Sequence, residues 1–442
     1  MIAIRGALVT FTGDPFVEGV EATRRYESDA IVAMDAGRVV DVGPASDVLK
    51  RLPAGTEVTR YANALITAGF VDCHVHYPQL PIIGAGGKPL LDWLSGYTFA
   101  AEERFGDEDY ARSVARAYLR ENLRNGITSA SVFCTVHAVS AQVLFEEARA
   151  LDLRVIAGKV LMDRNAPSAL LDTAERGYEE SKALIERWHG NGRLGYALTP
   201  RFAVTSTVAQ LDAAGALKRE FPDVHVQSHV SENVAEIALV ASMFPEASSY
   251  LNVYARHGLT GPRTIYGHGV HLSESDFAFL HESRTALAHC PTSNNFLGSG
   301  LFRIGEAKRA DRAVRVGLAT DLGGGTSFSI LRTMQAAYEV AQLSGTSLAP
   351  SSALYLATRG AAHALDIGDR IGSVAPGMEA DLVVLDLAST PVIETRMTHA
   401  KDIDETLAIQ MALGDDRAVR ATYVAGRRAW NRDAKEFARA LR

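Results

Sequence analysis

Two histidines one residue apart, His74 and His76, end an apolar run just before Pro78. In a strand, residues i and i+2 point to the same face, so both imidazoles can reach one metal ion. The pair alone is weak evidence, since one packed and one exposed histidine leave the same letters. Its weight comes from what ends the other apolar runs. Residues 225–230 close on His229 and Val230; 264–270 carry Gly267-His268-Gly269; 316–321 end in Thr320-Asp321. Buried ionisable groups are costly unless paired or bound to metal, so their recurrence at strand ends points to a site. Neutral imidazoles with one carboxylate suit Zn²⁺ or Fe²⁺, whereas Mg²⁺ or Ca²⁺ calls for more oxygen ligands. This pattern assigns His74, His76, His229 and Asp321 as ligands. It places His268 at the ion or at its water. Zn²⁺ is the favoured ion and Fe²⁺ the alternative. The run 195–202 ends in Pro200-Arg201-Phe202 with no lysine to bridge a second metal, so a single ion is expected. His271, His281 and His257 read as loop residues, and His137 and His363 fall outside the strand-end pattern.

Glu232 follows His229 by three residues, close enough to pass protons between water and a substrate nitrogen. A metal at the histidines would lower the pKa of its water towards ~7, and Asp321 could also accept the water's proton. The competing reading of Glu232 is a helix-start carboxylate, because Ser231-Glu232-Asn233 precedes Val234-Ala235-Glu236-Ile237. Beside the histidines, the catalytic reading is preferred. No His-Glu-x-x-His is present, which argues against a zincin protease, and no His-x-Glu…Pro-Cys-x-x-Cys, which argues against a cytidine-deaminase-type site.

These residues need a frame that brings strand ends together. Short apolar runs at 69–76, 127–134, 154–161, 195–202, 225–230, 264–270, 285–291 and 316–321 make eight, and most gaps carry helical patterns, as at 110–119 and 143–151. Eight β-then-α units predict a (β/α)8 TIM-like barrel, whose active site lies at the C-terminal strand ends. The runner-up, an open doubly wound sheet, usually opens with a Gly-rich phosphate loop, and Gly323-Gly324-Gly325 stands too late in the chain. Both chain ends are strand-rich. A hairpin is expected at 31–43 around Asp35-Ala36-Gly37, and strands at 382–385 and 420–427. We therefore expect a small β-sandwich domain built from residues 1–67 and 376–442, with the barrel at 68–375 inserted between them.

The chain has 442 residues, 47% hydrophobic and 22% charged, with a formal charge of −7. That is ordinary for a soluble globular protein and lacks the basic stripe of a nucleic-acid surface. No window is apolar for long enough to span a bilayer, and the N-terminal residues carry no signal-peptide pattern. Three cysteines without a Cys-x-x-Cys give no disulfide framework. The expected compartment is the cytoplasm.

Asp72-Cys73-His74-Val75-His76-Tyr77-Pro78-Gln79, Leu91-Asp92-Trp93-Leu94 with Tyr97-Thr98-Phe99 and Ala101-Glu102, Thr199-Pro200-Arg201-Phe202, Ser228-His229-Val230-Ser231-Glu232-Asn233, Gly267-His268-Gly269, His289-Cys290-Pro291-Thr292-Ser293-Asn294 and Thr320-Asp321-Leu322-Gly323-Gly324 form a set. Together they resemble the metal-dependent amidohydrolase superfamily and, within it, the guanine deaminases. The resemblance runs from about residue 68 to residue 329. Thr292 and Leu322 are conservative departures, and Cys73 stands where small or polar residues are usual. The resemblance implies hydrolysis of guanine to xanthine and ammonia by a metal-activated hydroxide adding to C2, with Glu232 moving a proton to N3. It also implies a homodimer. Gln79 carries an amide that both donates and accepts, which fits a purine edge. Arg201 can donate to O6, selecting an oxo group over an amino group. Phe202 and Trp93 can close an apolar slot around the flat ring. Related aminohydrolases acting on 8-oxoguanine, a pterin or a triazine would share the metal site, and a purine-binding barrel without catalysis is the non-enzymatic alternative.

Overall fold

The computed structural model describes residues 1–434, so residues 435–442 of the expected C-terminal segment lie outside the described residues. The strands in chain order are β1 (Ile2–Phe11), β2 (Arg24–Asp35), β3 (Arg38–Pro44), β4 (Glu57–Ala68), β5 (Phe70–His76), β6 (Ile127–Phe133), β7 (Arg154–Gly158), β8 (Val160–Leu161), β9 (Gly195–Pro200), β10 (His225–Val230), β11 (Thr264–His268), β12 (Ala286–His289), β13 (Val316–Leu318), β14 (Leu382–Asp386), β15 (Val419–Val424) and β16 (Arg427–Asn431). Eight parallel strands pair in the order β5-β6-β7-β9-β10-β11-β12-β13, with β8 attached to β9. The ring closes where the Asp321 N–H donates to the His74 carbonyl at 2.9 Å. This is the expected (β/α)8 barrel.

The strands are buried on both faces, as parallel strands covered by helices must be. The helix Glu108–Arg124 shows how the cover is built. Asp107 caps it by accepting from the Tyr110 N–H at 2.9 Å, a contact worth about 1 kcal/mol. Ala111, Val114, Ala115, Tyr118 and Leu119 recur at helical spacing and turn one face inward. Each large apolar side chain so buried contributes roughly 1.5–3 kcal/mol.

Several expected strands end differently: 285–291 leaves the sheet at His289 because a helix starts at Pro291, and 420–427 opens into the β15–β16 hairpin. The run 154–161 breaks into β7 and β8. Gly158 lies so close to β9 that a Cβ on it would sit 1.8 Å from the Ala197 carbonyl oxygen. The next residue, Lys159, is buried in an ion pair with Asp172 at 2.5 Å. The last barrel strand ends at Leu318, because Thr320 is drawn onto Asp72 and Asp321 adopts a positive φ of 46°.

The remaining strands form one sheet, ordered β16-β15-β14-β4-β1-β2-β3, so both ends of the chain build it. The β1–β4 pair is parallel and the others are antiparallel. The sheet folds over on itself. The β2–β3 turn is stitched to the segment before β14 by Ala380 N–H to the Gly37 carbonyl (2.8 Å) and Val39 N–H to the Met378 carbonyl (2.9 Å). Ile4, Val32, Met34, Leu382, Val384 and Tyr423 pack between, which is the sandwich core. The C-terminal segment is not strand alone. The helix Ile403–Leu413 inserts Ile403, Leu407 and Met411 into the main core beside Leu331 and Met334. Its i, i+4, i+8 apolar spacing and its Asp402 cap explain why it is helical.

Candidate active site

The strand ends bring His74, His76, His229, His268 and Asp321 together. His76 Nε2 and His229 Nε2 lie 3.1 Å apart. Asp321 Oδ1 stands 3.5 Å from His74 Nε2 and 3.6 Å from His76 Nε2, and its Oδ2 is 3.7 Å from His268 Nε2. His74 Nε2 is buried with no hydrogen-bond partner. A buried orphan nitrogen facing a carboxylate and three further imidazoles fits a cation and is otherwise costly. Nitrogen and carboxylate donors on such centres are those of Zn²⁺ or Fe²⁺.

Two of the imidazoles, His229 and His268, are aimed by their other nitrogen. His229 Nδ1–H donates to the Arg201 carbonyl at 2.6 Å, leaving its Nε2 lone pair for the centre. His268 Nδ1–H donates to Asn294 Oδ1 at 2.8 Å. The Phe133 ring lies against His74, His76 and His229, with centroids 4.6, 4.5 and 4.9 Å away, as an apolar floor. A Cβ on Gly267 would come within 2.7 Å of the His74 ring, so the glycine before His268 makes room for a histidine on another strand. His268 (φ 72°) and Asp321 (φ 46°) both hold left-handed backbone, a strained arrangement that collects at functional sites.

Electrostatics divide the groups. Burial holds His76 and His229 well below the ordinary histidine pKa, and His74 below it, so all three are neutral lone-pair donors. Burial also opposes charge on His268, but the carboxylates of Glu232 and Asp321 outweigh it and its pKa rises. Burial would raise Asp321, yet His74 and His268 outweigh that and hold it below the usual carboxylate range. Glu232 goes the other way, pushed up by burial to about 7. Two neighbouring carboxyls are thus separated into one that stays ionised and one that titrates near neutrality, the signature of divided roles. The buried Cys290 lies within ligand range of His268 and Asp321, but burial pushes its thiol up, which disfavours the thiolate that metals bind.

Glu232 is free to act because the helix that follows is capped without it. Asn233 caps Val234–Met243 and Glu236 completes the capping box. Glu232 Oε2 instead faces His268 Nε2 at 3.3 Å, and Oε1 accepts from Ser299 Oγ at 2.9 Å.

One narrow slot enclosing about 390 Å³, mouth included, is lined by His76, His229, His268, Glu232 and Asp321 and equally by Gln79, Trp93, Arg201 and Phe202. All the residues expected from the sequence therefore meet, with His74 behind them. Trp93 is fixed by its Nε1–H on the Ala85 carbonyl at 2.6 Å. Leu90, Leu94 and Leu297 complete the apolar wall. Sequence reasoning missed Phe133 and Ser299, and it named Asn294 and Glu102 within motifs but gave neither a role. Arg201 Nη1 donates to both oxygens of Glu102, at 2.9 and 2.7 Å, and Gln79 Nε2 donates to its Oε1 at 3.3 Å. Glu102 lies in a helical stretch where a glutamate normally reads as solvated, so only its place after Tyr97-Thr98-Phe99 set it apart.

The profile of the Amidohydrolase family matches residues 65–429. The chain is 44% identical to the guanine deaminase of Escherichia coli over 98% of both chains. The solved structure of that enzyme superposes with a TM-score of 0.95, covering 98% of this chain and 100% of the other. Guanine deaminase from Bradyrhizobium japonicum, 35% identical, gives a TM-score of 0.93 over 98% and 99%. Guanine deaminase from C. acetobutylicum, solved with guanine in its active site, is 28% identical with a TM-score of 0.86 over 97% and 100%.

Proposed function

The chain belongs to the amidohydrolase family, and from that premise we infer that it hydrolyses guanine to xanthine and ammonia. The observation that carries this reading is that one slot is lined both by the His/Asp donors with Glu232 and by Gln79 with Arg201. Chemistry and purine recognition thus face each other across the width of a ring.

His74, His76, His229 and Asp321 would hold one divalent ion, zinc by the balance of nitrogen and carboxylate donors, with His268 beside it. When bound, the ion supplies Lewis acidity that makes water a nucleophile at neutral pH. The chain's own residues do the rest. Trp93, Phe202 and the three leucines exclude bulk water and hold a planar ring. Arg201 donates to O6 and Gln79 binds the adjoining edge, which orients C2 towards the histidines. Glu232, whose pKa burial raises to about 7, takes a proton from the attacking water in its ionised form and gives it to N3. C2 is then tetrahedral and carries both a hydroxyl and the amino group. Asp321 or the regenerated Glu232 carboxylate takes the hydroxyl proton and passes it to the amino nitrogen. The C2–N bond breaks, ammonia leaves, and the C2 oxygen becomes the carbonyl of xanthine. His268, drawn towards charge by both carboxylates, steadies the oxygen at C2.

The three free, buried cysteines suit a reducing cytoplasm, and a homodimer is our reading of the assembly. No helix among the described residues is long and apolar enough to cross a membrane. The deciding experiment measures ammonia release from guanine, 8-oxoguanine, a pterin and a triazine with zinc-loaded protein. Guanine should have the highest kcat/KM. A higher value for any of the others would overturn the assignment of substrate.

A further inference from the structure

Glu102 is fully buried, touches no part of the metal cluster, and joins the two residues that face the purine edge. We propose that Glu102 sets the hydrogen-bond polarity of the slot, so that Gln79 and Arg201 read a ring N–H beside a carbonyl and refuse the reverse pattern. The inference rests on the purine reading above.

A glutamine amide is pseudo-symmetric, and left alone it can offer either end to a ligand. A carboxylate paired with a guanidinium only accepts. Gln79 must therefore turn its NH₂ towards Glu102, and its carbonyl oxygen points elsewhere. That oxygen receives no hydrogen bond among the described residues. It lies over the bare α-carbon of Gly323, where a Cβ would come within 2.2 Å of it. Gln79 is thereby left with an acceptor for the ligand. Arg201 is arranged in the opposite sense. Its Nη1 is committed to Glu102, while its remaining N–H groups can only donate. The Arg201 carbonyl is held by His229 Nδ1–H and by Ser228 Oγ–H at 3.1 Å, and its guanidinium lies 5.8 Å from the centre of the Phe99 ring, so the side chain has little freedom to retreat.

An acceptor beside a donor matches a lactam edge, N1–H next to C6=O. It mismatches an amidine edge, where N1 accepts and a 6-amino group donates. Both kinds of purine can carry the 2-amino group that is hydrolysed. Discrimination at position 6 is then built by a residue that need not touch the substrate, which makes Glu102 a positioning residue.

The test compares guanine with 2,6-diaminopurine as substrates, and hypoxanthine with adenine as competitive inhibitors, in the zinc-loaded wild type and three variants. In Glu102→Gln the new amide can donate or accept, so Gln79 can turn over. The preference for guanine, and for hypoxanthine over adenine, should shrink at least tenfold, mostly through KM and the inhibition constants, with zinc content unchanged. Glu102→Asp keeps the charge opposite Arg201 but withdraws from Gln79 and should shrink the preference less. Gln79→Met leaves the Glu102–Arg201 pair alone and should lose the preference for hypoxanthine over adenine; a retained preference overturns the proposal even where the buried-charge variants do not fold. Preferences within twofold of wild type in the folded variants overturn it. A wild type that does not deaminate guanine overturns the functional reading itself, which separates the two failures.

Discussion

The backbone N–H of Asp321 donates to the carbonyl of His74 at 2.9 Å, so the two ends of the barrel sheet meet at the residues that would share an ion. The joint is reinforced one residue earlier. Asp72 Oδ1 accepts from the Thr320 N–H at 2.9 Å and Oδ2 from the Thr320 hydroxyl. Burial pushes Asp72 up to about 7, against the two Thr320 contacts and the His74 N–H, all of which favour its charged form. Thr320→Val keeps the shape and deletes the hydroxyl. It should cost about 1–3 kcal/mol in denaturant unfolding and weaken zinc binding in a competitive chelator titration. If neither quantity moves, the joint does not position the centre.

Glu232→Gln removes the proton carrier while leaving its volume in place. Turnover of guanine should fall by about 10²–10⁴ while metal content by elemental analysis stays at the wild-type level. Unchanged turnover would reject the shuttle, and lost metal would mean that Glu232 acts through the ion site.

The pH dependence follows from the same group. Glu232 must be ionised to take a proton, so kcat/KM should drop as pH falls through the region of 7. The Ser299 hydrogen bond favours the charged form and lowers the Glu232 pKa, against the larger effect of burial. Ser299→Ala therefore raises that pKa and should move the acid limb of the profile to higher pH. An acid limb that stays in place or moves down contradicts this assignment.

Removal of the ion bears on stability as well as on rate. A cation bound to the folded state alone adds about 2.7 kcal/mol at a hundredfold excess over its Kd. Chelator-treated protein should melt lower than holoprotein and recover on addition of Zn²⁺. Because burial depresses the pKa values of His74, His76 and His229, these ligands stay unprotonated below the ordinary histidine range. Bound zinc should survive dialysis at about pH 6. Melting curves identical with and without metal would argue against a site made of these residues.

The barrel and its strand-end donors were legible because the code for them is local. An apolar run ending in a polar letter reads the same in any context, and eight of them in order leave few topologies. The partners of those donors were not legible, since each is a long-range neighbour. Asn294 reaches His268 across 26 positions, and Ser299 reaches Glu232 across 67. Nothing around an asparagine or serine announces such a distant contact. Glu232 stood between two local readings, and the resolution came from its neighbours. Asn233 and Glu236 took the cap, which freed the residue before them. The helix Ile403–Leu413 was overlooked between two strand signals, although its own period was present in the letters.

The sheet shared by the two chain ends has a consequence for how the molecule comes into being. Strand β4 lies between β1 and β14, so one of its edges is open until β14 has been made. During synthesis the ribosome delivers the whole barrel before that partner. A nascent chain therefore carries an unpaired strand edge, next to Leu65 and Ile66, through most of translation. Such edges invite association between chains. Chaperone demand during expression should thus be set by the last strands to emerge, not by the barrel that holds the chemistry.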